Sequence, residues 1–302
     1  MMENVGFKKI KIAVLGSNGQ LGQEFKHLAP SYEFVHFDFF SRKALDITDK
    51  QAFEKILHQE YDYLINCAAY TAVDKAEQDV EACYEINSVA CEHIMDYLKG
   101  RHTKLVHFSS DYVYHTYHGF ALTENDPTHP KGVYAASKLK GEEIIRSYDH
   151  PALILRTSWV ISSFGHNFVK TMLRLGSERS SLAVINDQYG APTYARHLAT
   201  AVIDIILKVT EYPKFESVFN ATYNYANEGI ITWYDLASQT METENLPCQI
   251  QTTLTKDYPT AAERPLWSVL SKKKIKNAFD LEIPHWYTGL IECLQAIKSI
   301  DV

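Results

Sequence analysis

No stretch of these 302 residues is apolar for long enough to span a membrane. Met1 to Lys9 holds no apolar run of the kind a secretory leader carries. Cysteine is scarce: Cys67, Cys83, Cys91, Cys248 and Cys293 are scattered, odd in number and free of any Cys-x-x-Cys pair. That pattern speaks against a disulfide scaffold or a cysteine zinc site and for a reducing, cytoplasmic compartment. The 13 histidines show no His-Glu-x-x-His spacing, so no metal site is expected. A cationic excess is missing too. Thirty Lys and Arg against 37 Asp and Glu leave a formal net charge of −7, which speaks against nucleic acid as a partner. The length suffices for one cofactor domain and a smaller companion.

Against these absences stands Tyr134-Ala135-Ala136-Ser137-Lys138. The i, i+4 spacing puts phenol and ammonium on one helical face. A free Tyr titrates near ~10. A cation at ~4 Å in an intermediate dielectric favours the phenolate by ~4 kcal/mol before desolvation. The expectation is a phenol drawn toward neutral pH and suited to general acid–base work. Alone, such a short match is weak; its context gives it meaning.

Lys9 to Leu15 reads as a buried strand, followed at once by Gly16-Ser17-Asn18-Gly19-Gln20-Leu21-Gly22 and then a helix. Strand, glycine turn and helix N-terminus together suit a pyrophosphate. Phe34 to Asp38 reads as a second strand ending in an acid, which suits the ribose 2′-hydroxyl of NADH. Arg42 and Lys43 follow and suit the 2′-phosphate of NADPH. Tyr63 to Tyr70 reads as a strand running into small residues that let a ligand lie against the backbone. Leu105 to Tyr112 reads as another strand, ending in two hydroxyls, with Ser110 24 residues before Tyr134. Val80 to Leu98 and Pro130 to Ser147 read as helices, and Ala152 to Arg156 as a later strand. The alternation predicts an α/β, Rossmann-like doubly wound parallel sheet over residues 1–159. From 160 to 302 the pattern loosens. That part is expected to form a smaller, discontinuous substrate domain, with 194–209 packing back on the first.

The motifs resemble the dTDP-4-dehydrorhamnose reductase family of the extended short-chain dehydrogenase/reductase superfamily. The resemblance rests on the glycine turn, Leu45-Asp46-Ile47-Thr48-Asp49, the run from Ile65 to Glu77, Ser109-Ser110-Asp111-Tyr112-Val113-Tyr114 and the Tyr-Lys helix. It continues through Arg156-Thr157-Ser158-Trp159-Val160, Gly165-His166-Asn167-Phe168-Val169, Asp187 to Thr193 and Arg264-Pro265. It implies reduction of a nucleotide 4-ketosugar. Tyr134 would donate the proton, Ser110 orient the carbonyl oxygen and Lys138 hold the nicotinamide ribose. Gly16, Asn18, Gly19, Gln20 and Leu21 would lie at the phosphates, Asp46 and Ile47 at adenine, and Ala68, Ala69 and Tyr70 at the nicotinamide. The resemblance also makes Asn87 a supporter of the relay, although a lone helical Asn suits a structural role equally. Thr71, Val73 and Trp159 would lie near the sugar, and Asn167 and Arg264 near the diphosphate. It favours NADPH with NADH as the alternative, a dTDP-sugar as the small-molecule partner, and it allows a homodimer.

Some positions depart from the family pattern. Ser110 replaces the usual Thr, Ala135 a Gly, and Ile161-Ser162 a Tyr-Gly. His115-Thr116-Tyr117-His118 replaces an Asp-Gly type of turn. None removes a catalytic group. A dehydratase of the superfamily calls for Asp-Glu after the strand-end hydroxyl, whereas Asp111 precedes Tyr112. An epimerase fits the motifs of the second half less well. A non-catalytic subunit like the methionine adenosyltransferase β subunit is the rival of another class; Ser110, Tyr134 and Lys138 favour catalysis.

Overall fold

The computed structural model describes residues 9–116 and 119–300. Tyr117 and His118 of the departing turn lie outside them. Six strands form the central sheet: β1 (Ile10–Leu15), β2 (Val35–Phe40), β3 (Tyr63–Asn66), β4 (Lys104–Ser110), β5 (Ala152–Thr157) and β6 (Thr222–Tyr225). Their order is β6-β5-β4-β3-β1-β2, with every neighbouring pair parallel. The main helices are α1 (Gln20–Leu28), α2 (Ala90–Leu98), α3 (Val133–Ser147), α4 (Phe168–Glu178), α5 (Ala195–Glu211), α6 (Trp233–Thr243) and α7 (Trp286–Ile300).

The strands read as apolar runs because helices cover both faces of the sheet. Alternate β1 residues divide between the two cores. Ile12 and Val14 join Phe25 of α1 and Leu198, Val202 and Ile206 of α5. Ala13 and Leu15 join Ile94 and Met95 of α2 and Ile145 of α3. The second half gives this body more than α5. Thr222–Tyr225 pairs along β5, and Tyr223, Tyr225, Ile275 and Phe279 enter the same core.

The remaining segments build a smaller layer. Strands Ser181–Ile185 and Gln249–Thr253 pair in parallel beside α4 and α6. Helix α7 packs its apolar face on Ile161, Val169, Tyr194 and Leu236.

One buried ion pair ties α3 to the sheet. Arg156 of β5 donates to both carboxylate oxygens of Glu142, from Nε at 2.9 Å and from NH2 at 2.7 Å. Its NH1 donates to the Tyr114 hydroxyl, which donates to Asn224 Oδ1. Partners on every side are what let two charges stay buried.

The strand order reverses about β1, which has β2 on one side and β3 on the other. Open α/β sheets bind ligands in the crevice at such a point, beyond the carboxyl ends of the strands.

Candidate active site

Gly16 follows β1 with φ +68°, and a Cβ there would lie 2.5 Å from the Ala68 nitrogen. The turn therefore requires glycine to lie against the end of β3. Gly19 differs. A Cβ there would meet only the Gly16 oxygen, at 3.4 Å. Its bareness leaves room for something outside the chain, beside the α1 N-terminus whose amides lack helical partners.

A cavity of about 210 Å³ opens at this point. Its walls bring together Gly16, Asn18, Gly19, Arg42, Asp46, Ile47, Ala68 and Ala69, all singled out from the sequence. Leu45, Cys67 and Ile86 complete it. Gln20 and Leu21 start α1 but are not on the wall. Leu21 packs on the core, and Gln20 accepts from Asn167 Nδ2 at 3.0 Å. Asp38 requires a correction. The strand runs on to Phe40, so Asp38 lies two residues short of its end, opposite Ala13. Its carboxylate accepts from Gln59 and from Tyr61 at 2.8 Å, and pairs with His36. Arg42 stands on the cavity wall after β2, its Nε donating at 3.2 Å to Asp46 Oδ2 on the same wall.

At the end of β4, Ser110 lies opposite Thr157 of β5. Helix α3 begins alongside, its Val133 amide donating to Glu77 Oε1 at 2.7 Å. Tyr134 of α3 lies near enough to Ser110 for that hydroxyl to act on its phenol. Ser110 Oγ also donates to Asp111 Oδ1 at 3.0 Å. Tyr112 meets the Tyr134 ring edge-on, with centroids 5.9 Å apart. Lys138, one turn on and buried, donates from Nζ to the Phe108 carbonyl at 2.6 Å.

Asn87 lies in a π-helical turn, Glu85–Val89, of the kind often found at functional sites. Its Oδ1 accepts from the Tyr70 amide at 2.9 Å, while Nδ2 donates to the Tyr70 carbonyl and to Ser137 Oγ. It thus fastens the segment after β3 to the Tyr-Lys helix. Tyr70 itself donates its hydroxyl to Asp79 and is not on the cavity wall.

A second cavity, of about 800 Å³, lies between the smaller layer and the loop carrying Arg264. Asp74, Phe168, Arg179, Leu182, Trp233, Tyr258 and Arg264 are among its walls. Thr71 is exposed, and Val73, half-buried, begins the short helix Val73–Ala76. Asn167 spends its side chain within the protein. It caps α4 at the Lys170 amide and donates to Gln20 and to the Ser162 carbonyl. Trp159 stacks on Trp233, with ring centroids 3.7 Å apart.

A family model described as the RmlD substrate binding domain matches residues 10–299. A dTDP-4-dehydrorhamnose reductase of Aggregatibacter actinomycetemcomitans is 35% identical over 291 residues, covering 93% of this chain and 97% of that one. The chain belongs to the dTDP-4-dehydrorhamnose reductase family. Crystal structures of such reductases from Clostridium acetobutylicum and Bacillus anthracis align with TM-scores of 0.88 and 0.85, at 30% and 31% identity. They match 96% and 95% of this chain, and 100% and 99% of their own. The Bacillus anthracis structure is a complex with NADP.

Within this reductase family site, burial dominates the electrostatics. It pushes the Tyr134 phenol up to about 12; the Ser110 hydrogen bond pulls the other way and the Asp111 charge adds to the rise. The expected depression by Lys138 is not met: burial raises the phenol, and the ammonium is turned to the Phe108 carbonyl. Burial also lowers Lys138 and raises Asp111 to about 6. Sequence reasoning missed Asp111, Glu77 and Trp233 as site-building residues. Asp111 and Glu77 stood inside family motifs; for Trp233 no local signal existed. Among the described residues, no cluster of His, Cys, Asp or Glu is placed to hold a metal ion, and no helix is long and apolar enough to cross a membrane.

Proposed function

We propose that this chain reduces the C4 ketone of dTDP-4-dehydro-L-rhamnose to dTDP-L-rhamnose with NADPH, in the cytoplasm. The Ser110–Tyr134 pair at the end of β4, in a chain of this family, carries the reading. The bare Gly19 and the α1 N-terminus fit a dinucleotide pyrophosphate. Arg42, a cation on the cavity wall after β2 and paired there with Asp46, suits a 2′-phosphate. The larger cavity suits the nucleotide end of the sugar nucleotide, with the Arg264 fork toward its diphosphate.

NADPH, when bound, supplies the hydride. This chain's own residues handle the charge that grows on the ketone oxygen. A phenol held up to about 12 keeps its proton through neutral pH, ready for a more basic alkoxide. Tyr134 gives that proton while the Ser110 hydroxyl, its one proton turned from Asp111 to the substrate, donates a hydrogen bond to the same oxygen. Lys138 has three donors, of which Phe108 takes one. The others remain to hold a ribose hydroxyl and to stabilise the tyrosinate left behind.

Residues 1–159 then act mainly as the cofactor body, and 160–302 mainly as the substrate side. A homodimer is compatible with this role. The deciding experiment follows NADPH and NADH oxidation with dTDP-4-dehydro-L-rhamnose beside other nucleotide 4-ketosugars. Preferred turnover of dTDP-4-dehydro-L-rhamnose supports the proposal. Preference for another sugar redirects it, and no turnover of any ketone returns the chain to a non-catalytic role.

A further inference from the structure

Trp159 follows β5 two residues after Thr157, the register partner of Ser110. Its φ is +47°, in the left-handed region, which a bulky side chain rarely adopts. Such strain persists only where the surroundings impose it. Three contacts do so. The Thr193 amide donates to the Trp159 carbonyl at 3.2 Å. Gly190 lies so close to the indole that a Cβ there would come within 2.9 Å of Cε2 and Cζ2. Trp233 stacks on the indole at 3.7 Å and 15°.

Trp233 is itself held firmly. It opens α6 just after Thr232, whose side chain caps the helix in a reciprocal box with Asp235. Phe168 packs on it at 4.7 Å between centroids. Trp233 lines the larger cavity, whereas Trp159 does not. One indole therefore touches both the proposed nucleotide space and Trp159, two residues past the end of β5.

We propose that Trp233 is a positioning residue. It sets the orientation in which Trp159 meets the sugar, and so links occupancy of the nucleotide cavity to alignment of the ketone. This rests on the reduction proposed above and on the place near the sugar that the family resemblance gives Trp159. A merely structural Trp233, or one that only walls the cavity, makes different predictions.

The test is a double-mutant cycle on Trp159→Ala and Trp233→Ala, with Trp233→Phe and Gly190→Ala as further variants. Each is measured for kcat and KM with dTDP-4-dehydro-L-rhamnose, for the Kd of dTDP by calorimetry, and for Tm. Trp233→Ala should lower kcat about 10- to 100-fold, the scale of a small misplacement of reacting groups. Its dTDP affinity should change less than about threefold. The double variant should be no slower than Trp159→Ala, since contacting residues that act as a unit are not additive. Trp233→Phe should recover most of kcat. Gly190→Ala, which crowds Trp159 from the strand paired with Ile231, should reproduce the kcat loss even if Trp233→Ala does not fold. A defect confined to dTDP binding, additive losses, or full activity in Gly190→Ala would overturn the proposal. Wild-type protein inactive on this ketone would instead refute the reduction, and the cycle would then be run on whichever ketosugar it does reduce.

Discussion

Asp74 grips Arg264 with both carboxylate oxygens, Oδ1 accepting from NH1 at 2.9 Å and Oδ2 from NH2 at 2.5 Å. The pair joins the segment after β3 to the loop at the far wall of the larger cavity. The hydrogen bond from Arg264 holds Asp74 below the usual carboxylate range. NH1 also donates to the Ala262 carbonyl. That leaves Nε–H and one NH2 proton for a ligand, on a guanidinium whose plane is already fixed.

Arg264→Ala should therefore raise KM for the sugar nucleotide by the equivalent of about 1.5–3 kcal/mol, as for a charged hydrogen bond. If that binding energy also places the ketone, kcat falls with it. Arg264→Lys should rescue little, since an ammonium cannot reproduce the fork. Steady-state kinetics decide; a defect confined to NADPH affinity would assign Arg264 to the other ligand.

Tyr134→Phe removes the proton donor and leaves the Ser110 shelf and the cofactor cavity in place. A loss of 10²- to 10⁴-fold in kcat is expected, the usual range for general acid catalysis. NADPH affinity should stay near wild type. Turnover within a few-fold of wild type would mean that another group supplies the proton.

The two glycines of the cofactor turn should fail in different ways. Gly19→Val has space in the fold but fills the approach to α1, so it should fold and lose NADPH binding. Gly16→Ala meets the Ala68 backbone and a positive φ, so it should lower Tm. Calorimetry and thermal melts separate them, and intact NADPH binding by Gly19→Val would place the pyrophosphate elsewhere.

Asp111 gives a pH signature of stability. Burial raises its native value from 3.8 to about 6. The native state thus holds a proton between those values where the unfolded chain has lost it. Stability falls as pH rises through that window and levels off above it, by about 3 kcal/mol in all. The stability of wild type relative to Asp111→Asn should accordingly decline between pH 4 and pH 7. Denaturant melts of both proteins across that range test it; a constant difference would show that Asp111 does not titrate there.

The parts legible in the sequence were those that local spacing defines. A glycine turn between strand and helix, and a Tyr and Lys one helical turn apart, carry their geometry with them. Asp38 was misjudged because a strand's end cannot be placed within two residues from apolarity alone. Thr222 to Tyr225 hid as a strand because polar Thr and Asn interrupt it, although β5 pairs along it. The acid strength of Tyr134 depends on burial by residues distant in the chain, which spacing does not encode. Trp233 and Asn167 take their surroundings from tertiary contacts with Trp159 and Gln20.

The late arrival of β6 bears on how the protein comes into being. A nascent chain that has passed Thr157 holds all the cofactor-cavity residues and the Tyr-Lys helix, yet β5 still has one bare edge. The partner for that edge is 65 residues downstream, and Phe279, which packs on Tyr223, later still. The six-stranded sheet therefore cannot be complete until Thr222–Tyr225 has been synthesised, and a released fragment ending near residue 210 would leave β5 without its outer partner, an open edge toward its neighbours.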